Sequence, residues 1–245
     1  GDIGLVVLAD GMGGYKAGEV ASGIAVRTVL TLIKDAVDRE DLSLRDEANG
    51  LSRPGILLRD AITRANKVIY QTAKTQSNCE GMGTTVVAGL FFDDKLTIAH
   101  VGDSRMYRCR DGKLEQVTQD HSLLQELVSR GFYTPEEAQR AAAKNYVTRA
   151  LGVEPTVDVE ITETPALKDD VYLLCSDGLS DMVDDDDIQL TINTFGANLE
   201  TVAKQLVLLG NDNGGRDNIS VVLVRGPGAF AAQRGVIDRI RKLFG

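Results

Sequence analysis

The chain has 245 residues, 43% apolar and 26% charged, enough to bury a core in one globular domain and too apolar for general disorder. Twenty-seven basic against 36 acidic side chains leave a net charge of −9, which repels nucleic-acid phosphates and means that an anionic substrate needs local positive charge. No apolar run approaches the roughly 18 residues of a membrane span, the first residues lack a signal-peptide pattern, and cysteines 79, 109 and 175 form neither a disulfide framework nor a thiolate zinc site, so a reducing cytoplasm is the expected compartment.

The opening IGLVVLADGMGG reads as a strand ending in a glycine-rich turn, and AGEVASGIAVRTVLTLIKDAV after it as a helix. Residues 35 to 55 mix charge with Gly50 and Pro54 and read as a surface connection before a second long helix, ILLRDAITRANKVIYQTA. From Thr84 the texture changes to β-rich runs, TTVVAGLFF, KLTIAHVG and RMYRCR, broken by Asp-Asp and Gly-Asp and followed by the Asp111-Gly112 turn, which predicts an antiparallel meander. Residues 120 to 151 return to helical and loop composition, with Thr134-Pro135-Glu136-Glu137 as a helix start. Then come an alternating strand, TVDVEITE; a buried strand, DVYLLCSDG; two helices, DDDDIQLTINTF and NLETVAKQLVLLGNDNG; and a last strand, NISVVLVRG. Helices standing between blocks of consecutive strands favour an α+β fold, a four-layer αββα sandwich of two antiparallel sheets with helices outside. Residues 1–226 form the expected domain. After the Gly-Pro-Gly break, residues 227–245 carry Arg234, Arg239, Arg241 and Lys242 against Asp238 and place Val236, Ile237, Ile240, Leu243 and Phe244 on one helical face, an appended basic amphipathic tail.

Four segments run an apolar strand into an aspartate beside glycine, serine or asparagine: Asp10-Gly11, Asp103-Ser104, Asp177-Gly178 and, in reverse order, Asp217-Asn218 leading into ISVVLV. Any one alone reads as turn chemistry. Four together put carboxylates at strand ends, and if those ends meet, repulsion and desolvation forbid an unpaired anion cluster. A hard divalent cation resolves the conflict, and an oxygen-only donor set points to Mg²⁺ or Mn²⁺. Other phosphoryl or acyl chemistries lack their residues. Six positions after each cysteine stand Thr85, Glu115 and Asp181 instead of a phosphate-cradling arginine, and there is no G-x-S-x-G, no Gly-Lys-Ser/Thr loop and no H-E-x-x-H. His100 reads as a buried strand residue, and His121 as either a turn residue or one at a site rim.

ADGMGGYKAGEVAS, GMGTTVVAG, IAHVGDSRMYR, QDHSL, TRALG, LLCSDGLSD and GGRDNISVVLV, in this order and spacing from residue 3 to 225, make the chain resemble the bacterial metal-dependent serine/threonine protein phosphatases of the PP2C family. The resemblance implies the αββα sandwich and a binuclear Mn²⁺ or Mg²⁺ centre whose bridging water attacks phosphorus directly. By the same resemblance Asp10 bridges both metals, the Gly11 carbonyl ligates one, Asp177 and Asp217 hold the other, and Asp103 with Asp181 forms a third, weaker position. Segment 123–149 corresponds to the flap beside the active site. Two divalent ions lower the pKa of a shared water and offset phosphoryl charge, which also answers the negative net charge of the chain.

The resemblance has departures. Family members carry a strand and an Arg-x-x-Asn-Glu/Gln-Asp segment upstream of the first Asp-Gly, and neither stands between Gly1 and Asp10, so a truncated chain is the expectation. Met12 and Tyr15 stand where relatives carry a histidine after the first Asp-Gly or in the glycine turn, so no general acid is expected from that turn. The leading expectation is a cytoplasmic, monomeric phosphatase of phosphoserine and phosphothreonine proteins opposing a Ser/Thr kinase, with no nucleic-acid partner. Its alternative is a PP2C-fold phosphoprotein-binding or scaffold module impaired in turnover. For the tail, self-packing or disorder is favoured over contact with anionic lipid.

Overall fold

A computed structural model describes residues 3–226 apart from 15, 45–49, 135–136 and 138–145; the expected tail lies outside the described residues. In chain order come β1 (Gly4–Leu8), β2 (Gly11–Met12), α1 (Ala17–Val37), α2 (Arg53–Thr75), β3 (Gly83–Thr84), β4 (Val86–Phe92), β5 (Lys95–Val101), β6 (Arg105–Arg110) and β7 (Lys113–Gln116). Then follow α3 (Leu123–Ser129), β8 (Glu160–Pro165), β9 (Val171–Cys175), a short α4 (Asp177–Ser180), α5 (Asp185–Phe195), α6 (Leu199–Asp212) and β10 (Val221–Arg225).

Two four-stranded antiparallel sheets result, ordered β1-β4-β5-β8 and β10-β9-β6-β7. The cores between layers define the sandwich. On β4, Val86, Ala88 and Leu90 join α1 and α2 in one cluster with Ala21, Val29, Leu58, Ile62 and Ile69. Val87 and Phe91, on the opposite face of the same strand, meet Met106, Tyr172 and Leu174 of the second sheet. Leu173, Cys175 and Tyr107 face α5 and α6 through Ile188, Ile192, Val202 and Leu206. Strands covered on both faces read as near-continuous apolar runs, whereas period-2 alternation marks strands with one wet face. The expected αββα arrangement is therefore the arrangement found.

Capping chemistry starts four of the helices. Ser52, Ser122, Asp184 and Asn198 each accept a backbone N–H from three residues on, at the heads of α2, α3, α5 and α6. The expected helix start near residue 134 has its own signature, since Thr134 N–H donates to Glu137 Oε2 (2.8 Å) and Glu137 N–H to Thr134 Oγ1 (3.2 Å), a capping box. The rest of that expected helix, to about residue 145, lies outside the described residues. The strand expected at TVDVEITE begins later, at Glu160, where pairing with His100 of β5 starts. The two-residue pair β2-β3 joins Gly11-Met12 to Gly83-Thr84.

Candidate metal centre

Four of the five aspartates singled out by sequence sit just outside the end or start of a sheet strand. Asp10 follows β1, Asp103 lies in the turn between β5 and β6, Asp177 opens α4 directly after β9, and Asp217 precedes β10. Asp181 caps the C-terminus of α4, its N–H donating to the Asp177 carbonyl at 2.8 Å.

Backbone bonding draws these ends together. Asp10 N–H donates to Thr85 Oγ1 (3.1 Å), while the Asp10 carbonyl accepts from Thr85 N–H (2.8 Å) and Thr84 Oγ1 (2.7 Å). Thr85 Oγ1 in turn shares a hydrogen bond of 2.7 Å with Ser104 Oγ, beside Asp103. In the other sheet Ser176 Oγ donates to the Asn218 carbonyl (3.1 Å) and accepts from Ser220 N–H (3.0 Å), fastening the lead-in of β10 to the end of β9. Glycine at 178 is required by close approach, because a Cβ there would stand 2.3 Å from the Asn218 carbonyl oxygen. Asp-Gly at this strand end is thus a packing device that sets Asp177 against the segment carrying Asp217.

Three of these carboxyls are shifted by their neighbours. Burial, then the charge of Asp177 and a side-chain hydrogen bond to it, with Asp217 and Asp103 adding repulsion, push Asp10 up to about 7. Burial followed by repulsion from Asp177, Asp120 and Asp181 pushes Asp103 up to about 7 as well. Asp177 is raised by burial and by Asp217, and its Oδ1 is buried without a hydrogen-bond partner. An orphaned carboxylate oxygen amid repelling neighbours suits a bound hard cation, and an all-oxygen donor set suits Mg²⁺ or Mn²⁺. Gly11 pairs with Thr84, its carbonyl oxygen close over α1, where a Cβ on Gly18 would come within 2.6 Å of it.

Sequence reasoning gave no role to the acid and base beside this cluster. Arg105 forks onto Asp120 through Nε (3.0 Å to Oδ1) and Nη2 (2.7 Å to Oδ2), and Gln116 Nε2 donates to Asp120 Oδ1 at 2.9 Å. The Arg105 charge also opposes the upward shift of Asp177. Both residues fall inside segments already conspicuous in the sequence, IAHVGDSRMYR and QDHSL, and only their pairing was invisible.

A second group of ligand-type side chains lies close by. His100, His121 and Glu160 bring one donor atom each within 4.8 Å of one another. The two imidazoles are stacked, with centroids 4.7 Å apart and planes 17° from parallel. A cation must lie near the plane of each ring to meet its lone pair, and two nearly parallel stacked planes do not share such a point. His121 also has both ring nitrogens engaged, so the group is a hydrogen-bonded support and not a second metal site.

Comparison with known proteins agrees on a class, the bacterial serine/threonine phosphatases. The serine/threonine phosphatase stp of Listeria welshimeri is 39% identical over 220 residues, covering 90% of this chain and 83% of that protein. The crystal structure of the Mycobacterium tuberculosis serine/threonine phosphatase PstP/Ppp matches with a TM-score of 0.78 at 39% identity, covering 89% of this chain and 86% of that one. A catalytic domain of PstP in complex with two manganese ions matches with a TM-score of 0.74 at 39% identity over the same shares. The family model for protein phosphatase 2C matches residues 1–209. The chain belongs to the protein phosphatase 2C family.

Proposed function

We propose that the protein hydrolyses phosphoserine and phosphothreonine esters of other proteins using Mn²⁺ or Mg²⁺ held by Asp10, the Gly11 carbonyl, Asp177 and Asp217, with Asp103 and Asp181 offering a third, weaker position. The observation that supports this reading is the mutual repulsion felt by buried aspartates from both sheets, Asp10, Asp103 and Asp177, together with an Asp177 oxygen that is buried and lacks a hydrogen-bond partner. Family membership and the manganese ions of the PstP catalytic domain support it.

When bound, such ions supply positive charge that acidifies water and offsets charge on phosphoryl oxygens. The chain's own residues hold and orient. Asp10 is fixed at its backbone by Thr84 and Thr85, Asp177 by the head of α4, and Asp217 by its own Oδ1, which accepts the Asn218 N–H at 2.7 Å. Arg105 pairs with Asp120 and offsets part of the charge that this further acid brings to the cluster. A silent scaffold has no need of so costly an arrangement of carboxylates.

The substrates on this reading are phosphoproteins, and the enzyme acts as a monomer against a Ser/Thr kinase in the cytoplasm. Three buried free thiols suit a reducing compartment, and no helix of the described residues is long and apolar enough to cross a membrane. On this reading residues 1–226 are the catalytic unit, whose Gly226 N–H bonds the Asp170 carbonyl, and residues 227–245 are a basic tail. Hydrolysis of a phosphothreonine peptide with and without Mn²⁺ tests the proposal. Asp177→Ala is expected to lower Mn²⁺-dependent turnover by about 100-fold or more, and metal-independent turnover surviving that change overturns it.

A further inference from the structure

Asp103 sits in a tight turn, and what holds that turn is a histidine from elsewhere in the chain. Gly102 N–H donates to His121 Nδ1 (3.1 Å), and His121 N–H donates to the Gly102 carbonyl (2.9 Å). Both backbone polar groups of the residue before Asp103 are therefore satisfied by one partner. Because Nδ1 accepts, the ring proton sits on Nε2, which faces Glu160 Oε2 at 3.1 Å. Glu160 thus fixes the tautomer that Gly102 needs, the usual logic of an imidazole held at its second nitrogen.

The rest of the surroundings hold the ring in place. His100 stacks on one face and donates from Nε2 to the Gln119 carbonyl at 2.8 Å. Arg149 Nη1 lies 3.4 Å from Nε2 and pairs with Asp158. Burial first, then the charges of His100 and Arg149, lower the His121 pKa against the opposing hydrogen bond from Glu160, so the neutral, accepting ring prevails at neutral pH. The His121 carbonyl also receives Thr148 N–H at 2.8 Å, and next to it Leu123 N–H reaches the Tyr146 carbonyl at 2.9 Å, so His121 anchors the Thr148 end of the 123–149 segment beside the point where its two ends pair.

We infer that His121 is a positioning residue for the metal centre: its imidazole, oriented by Glu160 and stacked on His100, sets the Gly102 backbone and with it the Asp103 carboxylate. It does not itself touch metal or substrate. The inference rests on the reading of Asp103 as a ligand at the weaker metal position, and the experiment separates the two.

Mn²⁺ titration of the full chain without substrate, followed by calorimetry and by the electron paramagnetic resonance of free Mn²⁺, gives the affinities of the strong and weak positions. His121→Phe keeps a ring to stack on His100 and removes the acceptor. It is expected to weaken the weakest position by about tenfold, the size of one orphaned buried donor, and to leave the stronger positions within about twofold. His121→Asn returns an amide oxygen near the Nδ1 position and is expected to restore most of the loss, which a general packing defect would not permit. Asp103→Ala is the reference and removes the weak position. If Asp103→Ala removes it while His121→Phe leaves it unchanged, the inference is overturned and the ligand reading stands. If Asp103→Ala leaves the isotherm unaltered, the ligand reading fails and the inference falls with it. Should His121→Phe not fold, Glu160→Leu, at a half-exposed site, decides: loss of the tautomer lock is expected to weaken the same position several-fold, and an unchanged isotherm overturns the inference.

Discussion

Two carboxyls poised near neutrality govern how metal and protons compete. In the metal-free fold Asp10 and Asp103 are raised to about 7 from an ordinary 3.8, chiefly by burial and by Asp177. A raised folded-state pKa means that the fold binds more protons than the unfolded chain between those limits. The stability these groups contribute is thus full below about 3.8 and is lost as pH rises through about 7. On the proposed ligand set, cations bind the deprotonated carboxylates, so they must displace protons near pH 7 and recover part of the stability forfeited there. Mn²⁺ affinity is expected to fall as pH drops from about 7 toward 5, and the calorimetric binding enthalpy at pH 7 is expected to change with the ionisation enthalpy of the buffer, reporting released protons. An enthalpy identical in buffers of low and high ionisation heat would contradict the assignment of these carboxyls to the metal centre.

Among the elements, the junctions carry the candidate centre and the strands carry the junctions. Gly178 is the sharpest case, since a methyl group there meets the Asn218 carbonyl oxygen at 2.3 Å and must push the β10 lead-in away from α4. Gly178→Ala is expected to cost about 1–3 kcal/mol, as overpacking does, and to weaken Mn²⁺ binding together with stability. Gly14→Ala, with nothing within 4 Å of the added atom, is expected to stay within about 0.5 kcal/mol; urea denaturation of the pair checks both. The same junctions explain what was legible in the sequence. Runs such as VVAGLFF and VYLLC announced buried strands, and four strands meeting Asp-Gly, Asp-Ser or Asp-Asn announced a carboxylate rim, because both signals are local. The β2-β3 pairing, the Arg105-Asp120 fork and the His121 clasp on Gly102 were not legible. Each joins residues 15 or more positions apart through geometry that no local pattern encodes, and β8 began late because its first expected residues alternate without a partner strand to pair with.

At the scale of the molecule, the candidate centre belongs to neither sheet alone. Asp10 and Asp103 come from the ends of β1 and β5, while Asp177 and Asp217 come from β9 and β10 in the opposite sheet. Their mutual position therefore depends on the core between the sheets, where the Phe91 and Tyr172 rings meet edge to face at 5.4 Å. Phe91 is 2% exposed, and Phe91→Ala is expected to cost about 3–5 kcal/mol. Since that core is shared by both sheets, unfolding should remain a single transition by circular dichroism and by fluorescence of an added dye. Mn²⁺ at about 100 times its dissociation constant should stabilise the native chain by about 2.7 kcal/mol, because it binds only the folded state. In Phe91→Ala that increment is expected to persist on a lower baseline, for β4 reaches the centre at its Val86 end and Phe91 lies near the other. In Asp177→Ala it should vanish while the metal-free midpoint holds or rises, as one repelling charge has gone. Two separable transitions in Phe91→Ala, or an undiminished Mn²⁺ increment in Asp177→Ala, would show that the sheets do not jointly build the centre.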